Sequence, residues 1–280
     1  MNTLLLQSLI DDALAEDMAF NDLTAKATIN QAQQGKATII AKADGMLSGC
    51  AVAHQVFTTM DEAILQAWQK TDQDHVQAGD VICQLKGNMR MLLSAERTAL
   101  NFMQHLSGIA TATASFVQAL EDTECDVADT RKTTPGLRLL EKQAVLDGGG
   151  INHRMDLASG MLIKENHIQA AGSITDAVVA CQKLSPNTWI EVECETLDEV
   201  VETVHVCPDM ILLDNMPVAM VEEARKLIPS SILIEASGNI TLLNARNYAQ
   251  TGINRIAVGA ITHSAPCLDL SMRVERSDIS

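Results

Sequence analysis

The sequence predicts an α/β protein in two parts: an α/β lobe, followed by a parallel sheet with helices outside it in barrel-like βα units. Three observations carry this prediction. The first thirty residues have helical periodicity, with Leu4, Leu5, Leu9, Ile10 and Leu14 on one face and acids on the other. Between Gly35 and Gly87 the pattern shortens to strand-like runs separated by glycines. Beyond Cys125, strands alternate with helices, and successive strand ends lie 21 to 35 residues apart.

Taken in order, the first helical stretch ends at a turn marked by Asn21 or Asp22. Ala37–Ala41 and Asp80–Leu85 read as strands punctuated by Gly45, Gly49, Gly79 and Gly87. A Gly-Asp turn before a strand also occurs in lipoyl and biotinyl domains, but no lysine here sits on a suitable hairpin tip. A long helical pattern runs from Leu92 to about Glu121, with Leu106-Ser107-Gly108 expected to break or bend it. The strands of the second part are Asp126–Asp129, Met161–Lys164, Trp189–Cys194, Met210–Asn215, Leu233–Gly238 and Arg255–Ala260. Helices are expected at Ile174–Lys183, Leu197–Val206, Val218–Ile228 and Leu242–Thr251.

Composition excludes several classes of function. The 280 residues carry a net charge of −16 and only seven Phe, Trp and Tyr. That leaves too few rings for base stacking and a field that opposes a phosphate backbone, so no nucleic-acid partner is expected. No apolar run reaches the ~20 residues of a membrane helix. The first 22 residues contain no Lys or Arg, unlike a secretory leader. The seven cysteines are scattered without a CxxC pair, which fits a reducing cytoplasm better than a disulfide or zinc scaffold.

The chemistry is concentrated where the second part's strands end, the rim on which α/β barrels build active sites. The first strand is followed by Arg131 and Lys132, and the second ends in Lys164. The third ends in Glu193 and the fourth in Asp214; the fifth ends in Ser237-Gly238 and the sixth in Gly259-Ala260. Residues 131–167 hold six basic against four acidic side chains, a local charge of +2 in a chain whose remainder sums to −18. Such a cluster suits a small anionic substrate in a focused field. Arg131, Arg138 and Arg154 are each able to grip a carboxylate or phosphate bidentately. Gly148-Gly149-Gly150 precedes Ile151-Asn152-His153-Arg154 and reads as a loop that places an imidazole and a guanidinium. Glu193 and Asp214, one βα unit apart, are candidate ligands for a hard cation such as Mg²⁺. Backbone amides near Gly259 and Ala260 would offer a phosphate cradle.

Four motifs stand in order: Asp129-Thr130-Arg131-Lys132-Thr133-Thr134-Pro135-Gly136, Gly148–Arg154, Leu162-Ile163-Lys164-Glu165-Asn166-His167 and Val258–Ser264, with Glu96-Arg97-Thr98-Ala99-Leu100-Asn101 upstream. In these motifs the chain resembles the quinolinate phosphoribosyltransferase family over nearly its whole length. The resemblance implies an N-terminal α/β sandwich lobe (residues 1–107, rejoined by 267–280) and an incomplete seven-stranded α/β barrel (residues 108–266). It implies the activity of a carboxylating nicotinate-nucleotide diphosphorylase, a pentosyltransferase. That activity is phosphoribosyl transfer from phosphoribosyl pyrophosphate to quinolinate with decarboxylation, giving nicotinate mononucleotide, carbon dioxide and pyrophosphate in NAD biosynthesis, with Mg²⁺. It further implies a homodimer in which Arg97 is donated to the neighbouring active site. By the same resemblance, Arg131, Arg154, His153 and Lys164 surround quinolinate. Lys132, Glu193 and Asp214 lie near ribose, pyrophosphate and metal, and Ser237, Gly238, Gly259 and Ala260 form the phosphate-end turns. Lys164, His153, Glu193 and Asp214 are the expected catalytic set. Asp147 before the triple glycine and Ala158-Ser159-Gly160 depart from the family pattern without removing a ligand-facing match. The rival readings are a related phosphoribosyltransferase for another anionic ring and a non-catalytic ligand-binding homologue; retention of the full charge set speaks against decay.

Overall fold

A computed structural model describes residues 3–276. In chain order, α1 (Thr3–Glu16), a 3-10 turn (Ala19–Asn21) and α2 (Leu23–Thr28) lead to β1 (Gln34–Ala41). There follow β2 (Gly45–Met46), α3 (Cys50–Met60), β3 (Leu65–Trp68), β4 (His75–Val76), β5 (Val81–Asn88) and α4 (Met89–Ala119). Next come β6 (Asp126–Ala128), α5 (Arg138–Asp147), β7 (Met161–Ile163), α6 (Glu165–Ala171), α7 (Ile174–Leu184), β8 (Ile190–Cys194) and α8 (Leu197–Val206). The chain ends with β9 (Met210–Asp214), α9 (Val218–Leu227), β10 (Leu233–Ser237), α10 (Ala245–Ala249), β11 (Arg255–Ala257), α11 (Ala260–His263) and β12 (Leu270–Arg276). None of these helices is long and apolar enough to cross a membrane.

The chain forms two compact units. The first holds the described residues up to Ala112, Pro135–Gly148 and the stretch from Ala265; the second holds Thr113–Thr134 and Gly149–Ser264. α5 belongs to the first unit although in sequence it lies between two strands of the second.

In the first unit, an antiparallel sheet runs β12-β1-β5-β3. β1 shows the period of two expected of a half-buried strand: Gly35, Ala37, Ile39 and Ala41 are buried, and Gln34 and Lys36 are exposed. β12 completes the sheet edge, with Lys36 opposite Glu275 and Thr38 opposite Arg273. Asp22 caps α2 by accepting from the Ala25 amide (2.9 Å), so the turn expected at this position starts a new helix.

The helix from Met89 to Ala119 runs unbroken through Leu106-Ser107-Gly108, contrary to the break or bend expected there. Both unusual residues are used for packing. A Cβ on Gly108 would lie 2.2 Å from the carbonyl oxygen of Pro266, so glycine allows a close backbone approach. Ser107 is buried, its hydroxyl donating to Ser48 O and accepting from the Ser48 amide, both at 3.0 Å.

In the second unit, six parallel strands lie in the order β6-β11-β10-β9-β8-β7. Ile151 adds a single parallel bridge to Ala128 beyond β6. Among the described residues nothing pairs that segment with β7, so the closed ring of a full barrel is absent and the fold is an incomplete α/β barrel. The helices start where local chemistry dictates. Ser173 caps α7 by accepting from the Asp176 amide. Thr196 and Glu199 form a reciprocal capping box on α8. β11 ends at Ala257, short of the strand expected to Ala260, because Ala260 already begins α11.

Candidate active site

Strand alternation sends every second residue of the parallel sheet to one face. On that face lie Leu162 and Lys164, Glu191 and Glu193, Leu212 and Asp214, Glu235 and Ser237, and Arg255 and Ala257. Most of them line a pocket of about 530 Å³ at the C-terminal ends of the strands. Thr130, Arg131, Lys132, His153, Arg154, Asn215, Gly238 and Asn239 complete the lining. The sequence-predicted residues Arg131, Lys132, His153, Arg154, Lys164, Glu193, Asp214, Ser237 and Gly238 are therefore brought together.

Gly259 lies beside this group, since a Cβ there would sit 3.1 Å from Lys132 Cδ. Thr262, on α11, donates to the Lys132 carbonyl (2.8 Å). Ala260 is exposed at the start of α11 and, like Gly259, is not part of the lining. Arg97 is exposed on α4 in the first unit and does not line the pocket either.

Two guanidinium groups dominate one wall. The Arg154 side chain donates to Gly160 O (3.0 Å), while its Nε is buried with no hydrogen-bond partner. Burial, and then the like charge of Arg131, lower the Arg154 pKa from its ordinary value. An anion lying between the two would relieve both penalties. In the same lining the Lys164 ammonium pairs with Glu193. The Asp214 carboxyl is raised from its usual value by burial first and by Glu193 second. Asn215 donates to Asp214 Oδ2 (2.6 Å) and accepts from Asn239 (3.0 Å). Asn215 and Asn239 both have left-handed backbones, and Gly238 between them has φ 91°. A Cβ at Gly238 would meet Asn215 Oδ1 at 2.1 Å, so this turn needs glycine.

Beneath the rim is a layer that sequence reasoning missed. His153 Nε2 lies 2.7 Å from Glu191 Oε2 and 3.6 Å from Glu235 Oε1. Arg255 bridges the two carboxylates, its Nε on Glu235 and its Nη2 3.6 Å from Glu191 Oε1. Glu191 and Glu235 are fully buried, and burial raises both carboxyls above the ordinary range. Asp129, also fully buried, accepts from Asn152 Nδ2 (2.6 Å) and from the His153 amide (2.9 Å). The available signal was parity: Glu191 stands two residues before Glu193, and Glu235 two before Ser237, so each shares its neighbour's face.

Comparison with known proteins places the chain in a family. Residues 22–107 match the model of the quinolinate phosphoribosyl transferase N-terminal domain, and residues 109–273 that of the C-terminal domain. A probable nicotinate-nucleotide pyrophosphorylase [carboxylating] of Bacillus subtilis is 42% identical over 281 residues, covering 100% of this chain and 97% of that protein. A nicotinate-nucleotide pyrophosphorylase [carboxylating] of Mycobacterium leprae is 38% identical, covering 93% of this chain and 94% of its own length. The crystal structure of NadC from Streptococcus pyogenes superposes with a TM-score of 0.95 at 39% identity, covering 99% of both chains. Matches spanning both parts of the fold, at this identity and coverage, show that the chain belongs to the quinolinate phosphoribosyltransferase family.

Proposed function

We propose that the chain transfers a phosphoribosyl group from phosphoribosyl pyrophosphate to quinolinate and decarboxylates the adduct, yielding nicotinate mononucleotide, carbon dioxide and pyrophosphate for NAD biosynthesis. The observation that carries this reading is that Arg131, Arg154 and Lys164 line one pocket together with Glu193 and Asp214. The cationic wall suits a dianionic pyridine dicarboxylate, and the turn at Ser237 and Gly238 suits the 5-phosphate end. Lys132 extends that anion-holding rim, and Gly259, whose added Cβ would lie 3.1 Å from Lys132, stands beside it. The pyridine nitrogen displaces pyrophosphate at the anomeric carbon through an oxocarbenium-like state, so positioning and preorganised charge carry the rate. The ring nitrogen thus becomes cationic and stabilises the carbanion left by loss of the 2-carboxylate.

Glu193 and Asp214 fit Mg²⁺: they are two hard oxygen donors in one pocket, and burial first and the Glu193 charge second raise the Asp214 pKa. Bound there, Mg²⁺ supplies positive charge against the leaving pyrophosphate. Asp214→Asn is expected to raise the Mg²⁺ concentration for half-maximal rate by about tenfold and to raise the KM for phosphoribosyl pyrophosphate, with quinolinate KM little changed. A Mg²⁺ titration of the initial rate checks this; an unshifted curve removes Asp214 from the metal site.

The reading extends to a homodimer in which the partner subunit's Arg97 completes the pocket, which is supported by the exposure of Arg97 on α4. A reducing cytoplasm is supported by seven free cysteines. The test of the function as a whole is acceptor choice. Nicotinate, with one carboxylate, leaves cationic donors unpaired at a cost of about 1–3 kcal/mol for each lost partner. Pyrophosphate and carbon dioxide release are expected with quinolinate, and only weak pyrophosphate release with nicotinate. Equal turnover of the two acids would overturn the assignment.

A further inference from the structure

At the pocket, two buried carboxylates far apart in sequence, Glu191 and Glu235, converge on the His153 imidazole. His153 is buried, and both of its ring nitrogens are engaged by the protein. Nδ1 accepts from the backbone amide of Arg154 at 2.7 Å. An amide N–H only donates, so Nδ1 carries no proton, and the ring proton is on Nε2. Nε2–H points at Glu191 Oε2 (2.7 Å), with Glu235 Oε1 at 3.6 Å. Arg255 holds the two carboxylates in place from the other side. Nδ1–H tautomers and imidazolium are disfavoured alike, because each would set an N–H donor against the Arg154 amide.

His153, Glu191 and Glu235 offer ligand atoms close enough together for a metal ion, but the Arg255 guanidinium already supplies the cation there. The backbone around Arg154 is fixed on both sides of His153: the His153 amide donates to Asp129, and the Arg154 amide donates to the His153 ring. Trp189 packs edge-on against that ring (centroids 5.8 Å apart) and lies against Gly160, whose carbonyl accepts from Arg154.

We infer that Glu191, Glu235 and Arg255 are positioning residues: they lock His153 as the neutral Nε2–H tautomer, and the locked ring seats the Arg154 guanidinium that grips the substrate carboxylate. His153 is then a strut and not the proton donor of the decarboxylation step. That proton comes from Lys164 or from water. The substrate half of the inference rests on the function proposed above; the tautomer half does not.

The test has two arms. In protein labelled with ¹⁵N-histidine, long-range ¹H–¹⁵N correlation distinguishes the tautomers, and His153→Gln identifies the His153 signals among the seven histidines. The expected pattern is a protonated Nε2 and an unprotonated Nδ1 at assay pH. An Nδ1–H or imidazolium pattern would overturn the inference. In the kinetic arm, Glu191→Gln must turn its NH2 either toward His153 Nε2–H or toward Arg255, a donor facing a donor in both cases. Quinolinate KM is expected to rise by about tenfold or more, with the KM for phosphoribosyl pyrophosphate within about twofold of wild type. A loss confined to kcat, with quinolinate KM unmoved, would count against the positioning role. Should Glu191→Gln fail to fold by circular dichroism, Glu235→Gln is read by the same criteria. Should the wild-type protein fail to use quinolinate, the proposed activity falls, while the NMR arm still decides the tautomer lock.

Discussion

Replacing Arg154 by alanine is expected to lower kcat/KM for quinolinate by roughly two to three orders of magnitude, the equivalent of about 3–4 kcal/mol, within the range for breaking a buried charge pair. The structure gives the reason. Arg154 has a buried, unpartnered Nε and lies near enough to Arg131 for the like charge to depress its pKa. Removing Arg154 removes that buried donor and leaves only Arg131 and Lys164 for a dianion. Arg154→Lys is expected to recover only part of the loss, because an ammonium has no planar fork. Steady-state kinetics with quinolinate varied at saturating phosphoribosyl pyrophosphate measure both variants. An Arg154→Ala enzyme within about threefold of wild type would exclude this residue from the substrate grip.

The second large effect is a recovery. Arg97→Ala and Lys164→Ala are each expected to be nearly inactive as homodimers, Arg97 because bidentate donors to a substrate carboxylate are lost. Mixed and allowed to exchange, they are expected to regain activity. If each pocket takes Arg97 from the partner subunit, one pocket of a heterodimer carries both defects and the other carries neither. Each heterodimer then works at about half the wild-type dimer rate. If Arg97 serves its own chain, both pockets stay defective. Differently tagged subunits establish heterodimer formation independently, and heterodimers without activity would overturn the shared pocket.

The rim of this site was legible in the sequence, and the layer below it was not. Lys164, Glu193, Asp214 and Ser237 stand at regularly spaced strand ends, and a barrel-like sheet delivers strand ends to one place. Glu191 and Glu235 lie inside strands flanked by apolar residues, where a charge is costly unless paired. Their partners, His153 and Arg255, are separated from them by whole βα units, and no local pattern announces such a pairing. Leu106-Ser107-Gly108 misled for a related reason. Serine and glycine weaken a helix in isolation, but here each answers a distant backbone, Ser48 or Pro266, that only the folded chain supplies.

The pairing of β1 with β12 bears on how the protein is made. Ala37 and its opposite residue Val274 are separated by more than two hundred residues, so this contact forms only once β12 itself has been synthesised. Until then β1 pairs with β5 alone and presents an open edge while the parallel strands of the second unit are being synthesised. An unpaired edge exposed during translation is a template for pairing with another chain. Lys36 and Lys42, exposed on or just beyond β1, place charge on that stretch of nascent chain and oppose association with a second copy while the last strand is awaited.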